Sequence, residues 1–331
     1  MMLRASCLCL MVLISISFTT TSSQEIVCYI REALIKDGDG GHTTKINHFW
    51  GYLPSDMCTR YIFVVENFRR RNLNGYLSTF RNRKPPAELG MLVSRYTKYH
   101  ISRYAFYWVK RFNFDGMHFI WDYRYGNPYT ARERKQLIAT ARSKFPSKTV
   151  SQAIECKPRF REHVDFDNNV NEVDLTVVLV KIFIDEVPSF IETTKACSLS
   201  DLNIPHEKAV IGLRELTGDL GRNLAKFRPN CHDAQKRNML RRISIALSCL
   251  VHSDGFQGVM VWSIQTDDYV GNVCNKGKYP FIATYKEYLK SCSKPEFASG
   301  AMMIKPVVFA RESHVVVWAL LSHVLHALFY L

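Results

Sequence analysis

The segment "FNFDGMHFIWDY", residues 112–123, decides how the chain is read. Asp115-Gly116 leads into an apolar run that holds His118 in its middle and Asp122 at its end. Successive side chains of a strand point to opposite faces. Met117, Phe119 and Trp121 therefore share one face, and Gly116, His118, Ile120 and Asp122 share the other. On the first reading, the two polar groups, His118 and Asp122, point together into one interior or mouth. On the second, the segment is an ordinary buried strand whose terminal Asp caps a turn.

The flanking sequence supplies seven more segments of the same kind. They are residues 25–30, 59–67, 88–96, 148–155, 174–183, 208–215 and 258–265, with 116–123 as the fourth in order. Several are continuous apolar runs, the pattern of parallel strands covered on both faces. Helical patterns fall between them, best at 130–144 with Thr130 as N-cap, at 233–252 and at 280–291. The apolar pattern is poorest in the third and seventh strands. Eight β/α units predict an α/β fold, a single (β/α)8 TIM barrel. Such barrels place reacting groups at the C-terminal ends of their strands, which is where Asp122 falls.

The two ends have a different character. Residues 1–23 combine Arg4, the apolar run "CLCLMVLISISF" and the small residues "TTTSS", the pattern of a secretory signal peptide. Residues 300–331 end in the apolar run Val315–Leu331, preceded by the small residues Ser299, Gly300 and Ala301. Small triplet, spacer and terminal apolar tail form a glycolipid (GPI) anchor signal with attachment at Ser299. A retained single transmembrane helix and a poorly packed C-terminal helix are the alternatives. The mature domain is then 24–299, displayed at the cell surface, or else single-pass or free in the extracellular space.

Eight cysteines remain once Cys7 and Cys9 leave with the signal, an even number that suits disulfides in an oxidising compartment. No C-x-x-C spacing occurs among them, and neither a metal nor a cofactor is expected. No Asn-x-Ser/Thr acceptor for N-glycosylation is present. The formal net charge of +14 falls to +12 after processing, with a dense cluster at Arg69, Arg70, Arg71, Arg81, Arg83 and Lys84. A secreted basic surface meets acidic polysaccharide or anionic lipid more readily than nucleic acid. A solvated face without a specific partner is the alternative.

The segment at 115–122 resembles the signature of glycoside hydrolase family 18, the chitinases and chitinase-like lectins: Asp-Gly-x-Asp-x-Asp-x-Glu on the fourth strand. "VCYIRE" resembles the family's first strand, "LPSDMCTRYIFVVENF" its second, and "GVMVWSIQTDDYVGNVC" its eighth strand and following loop. The likeness spans 25–291 and is weakest between 70 and 110. It implies the barrel fold, a Cys28–Cys58 disulfide, and a sugar-stacking Trp at Trp262 with further aromatics at Tyr29 and Tyr96. Only 42 residues separate Glu215 from Gly258, so the family's small α+β insertion domain is expected to be absent or very short.

The departures from the signature concern catalysis. The resemblance implies that a Glu at the last position protonates the glycosidic oxygen while the substrate's own N-acetyl group attacks. Here Asp122 stands in the place of that Glu, with its carboxyl one methylene further back. A misplacement of that order, ~1 Å, can cost ~10²-fold. His118 and Ile120 replace the two intermediate Asp residues, and Lys181-Ile182 replaces a Tyr-Asp pair of the sixth strand. Ile120 can neither bond the N-acetyl nitrogen nor share a proton with the acid. His118 could pair with Asp122, and Lys181 could lie beside it, as a buried substitute for the family's Asp network.

The expectation is a catalytically silent chitinase-like protein that binds N-acetylglucosamine-type glycan, or a cell-surface or extracellular protein, through the barrel mouth. Two alternatives remain: a weak glycosidase on N-acetylglucosamine polymers using Asp122, and a growth-factor-like, polyanion-binding protein. Trp262, Asp122, Tyr29 and Tyr96 are the candidate ligand-binding residues.

Overall fold

The computed structural model describes residues 24–31, 53–54, 56–65, 85–93, 101–121, 130–156, 170–181, 204–214, 234–264, 267–268, 271 and 274–292. The signal and anchor segments, Ser299, Tyr96, Asp122, Ile182 and the basic cluster at 69–84 lie outside these residues.

Eight parallel strands close on themselves in sequence order: β1 (Glu25–Arg31), β2 (Arg60–Val65), β3 (Ala87–Val93), β4 (Gly116–Trp121), β5 (Thr149–Cys156), β6 (Leu175–Lys181), β7 (Ala209–Arg214) and β8 (Gly258–Val261). The seam pairs Glu25 with Gly258 and Cys28 with Val261. The expected barrel is present, including the poorly patterned third and seventh strands. Those two read weakly because inward positions hold Glu88, Gly90 and Gly212, which break the apolar run without breaking the sheet. A Cβ at Gly258 would collide with the Glu25 carbonyl, so only glycine permits the backbones to close there.

The described helices are α1 (Phe106–Arg111), entered through a π-helical turn at Ile101–Ala105, α2 (Ala131–Lys144), α3 (Ala234–Asp254) and α4 (Pro280–Lys290). Thr130 caps α2 as expected. Its hydroxyl accepts from the Glu133 N–H at 3.2 Å while the Glu133 carboxylate accepts from the Thr130 N–H at 3.0 Å, a reciprocal capping box. Between β7 and β8 the described chain is the single helix α3. The stretch before it, 215–233, is too short for an insertion domain.

The alternation read from the sequence sorts two apolar clusters. Met117, Phe119 and Trp121 face outward with Val109, Ile138, Leu247 and Ile282 of the helices. Ile120 faces inward with Val27, Tyr29, Ile62, Val64, Val177 and Met260. The Cys28–Cys58 disulfide forms as the resemblance implies, with Cα atoms 5.9 Å apart, and ties β1 to the turn before β2. A second bridge, Cys249–Cys292, pins α3 to the chain after α4.

A repeated device registers the strand starts. The Ala87 N–H donates to the Asp115 carboxylate at 2.8 Å, and the Asp115 N–H returns a bond to the Ala87 carbonyl at 2.8 Å. Asp174 and Val150 exchange the same pair at 2.9 and 2.8 Å, and Thr59 and Ile26 do so through the Thr59 hydroxyl at 2.9 and 3.0 Å. Asp115, the first residue of the signature, is therefore a strand-start cap at the barrel floor, the end opposite the mouth.

Candidate functional site

The inward residues of β1 to β5 build a polar column through an otherwise apolar barrel. His118, on the inward face of β4, is fully buried. Its Nε2 lies 2.6 Å from the Tyr29 hydroxyl of β1, and its Nδ1 lies 2.6 Å from the Ser151 hydroxyl of β5. Ser151 in turn donates to Glu88 of β3, and Glu88 pairs with the Arg60 guanidinium at the start of β2. Arg60 reaches on to Glu25 of β1 at 3.0 Å through Nε and 3.2 Å through Nη2, and the Gln257 amide donates to Glu25 at 3.4 Å.

The bond directions follow from the charged end. A carboxylate is acceptor-only, so Ser151 spends its hydroxyl proton on Glu88 and must accept from His118. Nδ1 then carries the imidazole proton, leaving Nε2 to accept from Tyr29. The column reads in one direction, from Tyr29 through His118 and Ser151 to Glu88. Burial, with the Arg60 charge nearby, holds the imidazole pKa down at about 3, so His118 is neutral at physiological pH. Burial, with the Glu88 charge nearby, pushes the Tyr29 phenol well above its ordinary range. Burial also raises the Glu88 carboxyl, against the opposing pull of Arg60 and Ser151. Burial opposes the charge on Arg60 too, but Glu88 and Glu25 outweigh it and keep the guanidinium protonated.

Both imidazole nitrogens have described partners, Tyr29 and Ser151, while Asp122, the partner read from the sequence, lies outside the described residues. Through Ser151, His118 is joined to a Ser-Glu-Arg-Glu column descending from it. Ile120, one inward step above His118, is buried among the interior aliphatics. Neither His118 nor Ile120 offers a proton at the mouth. Lys181 ends β6 opposite Arg214 of β7, and its side chain lies outside the described residues.

At the upper end, Trp262 follows β8 and is half-buried, and the Trp262–Ser263 peptide is cis. Its ring packs on Tyr29, centroids 4.9 Å apart at 45°, and Tyr29 meets His118 edge-on at 5.4 Å and 84°. Of the candidate ligand-binding residues, Tyr29 and Trp262 are thus brought together. The acids after β8 are structural. Asp267 accepts from the Phe281 and Ile282 N–H groups at 3.1 Å and so caps α4, and Asp268 accepts from the Gly271 and Cys274 N–H groups at 2.7 Å. Among the described residues, no group of acidic, His and Cys side chains is arranged to hold a metal.

No family model matches the sequence. The folded chain does match solved structures. The Ostrinia furnacalis Group IV chitinase superposes with a TM-score of 0.59 at 15% identity, covering 81% of this chain and 100% of that one. Catalytic domain 2 of the Group II chitinase of the same insect gives 0.58 at 13%, covering 81% and 97%. The fold is that of the family 18 chitinases. Human YKL-39, described as a pseudo-chitinase with retained chitooligosaccharide binding properties, shares the fold at a TM-score of 0.55 and 13% identity, covering 81% and 100%. The chitinase fold accounts for the likeness seen at β4 and β8, at an identity too low to fix an activity.

Glu88, Arg60 and Ser151 escaped the sequence reading. The available signal was parity: Arg60 shares a face with Ile62 and Val64, and Glu88 with Gly90 and Leu92. Opposite charges on the inward faces of adjacent strands mark a buried pair.

Proposed function

We propose that this chain is a chitinase-fold binding protein that takes N-acetylglucosamine-type glycan at the barrel mouth and does not hydrolyse it. One observation carries the reading. The inward positions of β4 are filled by an apolar Ile120 and by a neutral His118 with both nitrogens engaged, while the Tyr29–Trp262 ring pair remains at the mouth. A flat indole suits the apolar face of a pyranose. Asp122, with no charged or proton-sharing neighbour at 120, lacks the support that an acid catalyst needs. A protein ligand at the same mouth is the second occupant to screen.

The reading places the protein outside the cell. Residues 1–23 act as the signal peptide, and 300–331 as the removable tail that puts a glycolipid on Ser299. The Cys28–Cys58 and Cys249–Cys292 bridges support an oxidising compartment. The test is a glycan array probed with the secreted protein and with Trp262→Ala. Selective capture of N-acetylglucosamine oligomers, lost in the variant, is expected. Equal capture by both proteins would overturn the proposed mouth.

A further inference from the structure

We infer a second binding surface, on the outside of the barrel, that takes a sulfated polysaccharide along α1. From Glu88 to Asp115 the sequence contains no acidic residue, but it contains Arg95, Lys98, Arg103, Lys110 and Arg111. The helix turns its apolar side inward: Ile101, Ala105, Phe106, Trp108 and Val109 are buried in the outer core. The opposite side exposes Arg103, Tyr107, Lys110 and Arg111. These positions, spaced by three, four and seven along a helical stretch, form one continuous face.

Tyr107 is the exposed large apolar side chain of the described residues, at 51% exposure. Its ring is not left loose. The Arg111 guanidinium lies 5.6 Å from the Tyr107 centroid and donates to its hydroxyl, so a flat ring and a fixed cation stand side by side. Arg103 repeats the pairing one turn earlier, 5.4 Å from the Tyr104 centroid. The end of α2 extends the surface, because the exposed Lys144 ammonium sits 5.6 Å from the Phe106 ring. Among the described ion pairs none involves Lys110, Arg111 or Lys144. The nearest acid in sequence, Asp115, spends a carboxylate oxygen on the Ala87 N–H.

The chemistry selects the ligand. Guanidinium groups match planar-fork recognition of sulfate or phosphate oxygens, and a guanidinium already held on a ring loses little entropy on binding. The rings offer a sugar face a place to stack. The face is a narrow stripe along a helix, suited to a linear polyanion. A lipid surface would call for several insertable apolar side chains, and the one such group here is tied by its hydroxyl to Arg111. This surface lies on the outside of the barrel, separate from the Trp262 mouth.

The test measures binding of size-defined heparin oligosaccharides to the full secreted protein by calorimetry, at several salt concentrations. Lys110→Glu/Arg111→Glu should weaken binding by at least tenfold and flatten the salt dependence, since counterion release scales with the charges neutralised. Tyr107→Ala should weaken it by severalfold. Trp262→Ala and the distant exposed reversal Lys276→Glu should leave it unchanged. All five changes, carried by four variants, are at the surface or mouth, and a retained melting temperature confirms that the barrel is intact. Full-strength heparin binding by the Lys110→Glu/Arg111→Glu protein would overturn the inference. So would preference for RNA or for anionic vesicles over heparin at matched charge.

Discussion

The Tyr29 hydroxyl donates to Nε2 of His118 across the barrel interior at 2.6 Å, and it ends a column of polar groups that starts at Glu25 on the floor. The ring that floors the mouth is thereby fixed by charges at the far end of the barrel. His118, placed where the signature has an Asp, has become a relay of orientation. Its neutral imidazole needs a donor on one side and an acceptor on the other, and the interior provides both.

The Arg60–Glu88 pair is the costly member of that column. Glu88 is wholly buried and Arg60 is partly buried. Removing one charge strands the other, a loss of about 3–5 kcal/mol for buried pairs. Arg60→Met should therefore destabilise the protein by that amount in urea unfolding. The double variant Arg60→Met/Glu88→Met should be less destabilised than Arg60→Met alone, because no buried carboxylate is left without its partner at position 88. Additive losses in the double variant would show that the two side chains are not energetically coupled.

The pH dependence of stability should contain two opposed contributions. Burial, only partly offset by N–H bonds from Ile282, Asp268 and Phe281, pushes the Asp267 carboxyl up to about 7. The folded state then holds the extra proton between about pH 4 and 7, and this contribution to stability grows as pH falls. His118 works in the reverse sense. Its pKa is lowered to about 3, so the unfolded chain takes the extra proton below about 6.5, and stability is lost as pH falls. In Asp267→Asn the first contribution disappears. Relative to the parent, this variant should lose stability on acidification from pH 7 to 4, by at most about 1.4 kcal/mol per pH unit. Parallel pH profiles for the two proteins would contradict the assignment.

Much of the fold was legible because parallel strands buried on both faces are apolar runs, and the alternation at 116–121 sorted inward from outward side chains correctly. The strand ends were less legible. The run at 258–265 ends as a strand at Val261, where the chain leaves the sheet. Of the positions singled out in the sequence, Tyr29, His118, Ile120 and Trp262 fall among the described residues, inside the barrel or at its upper end. The connections of the site were not legible, since a hydrogen bond between β3 and β5 joins residues 63 apart in sequence, Glu88 and Ser151. Asp115 shows a similar limit: motif membership gives a residue's position in the chain but not which end of the barrel its carboxylate serves.

Anchoring is tested at the cell surface. A phosphatidylinositol-specific phospholipase should release the protein from intact cells, with Ser299 at the new C-terminus and 300–331 missing by mass spectrometry. Retention on the membrane with Val315–Leu331 still present would establish a true span in place of the lipid.

The central claim is that the barrel holds glycan without cutting it. It is tested most directly by following both events in one sample: binding of N-acetylglucosamine oligomers by calorimetry, and their cleavage by mass spectrometry. Saturable binding with no product should be seen for the parent and for Asp122→Glu, because Ile120 and Ile182 still leave the acid and the N-acetyl group unsupported. Product formation by the parent that Asp122→Asn abolishes would contradict the account.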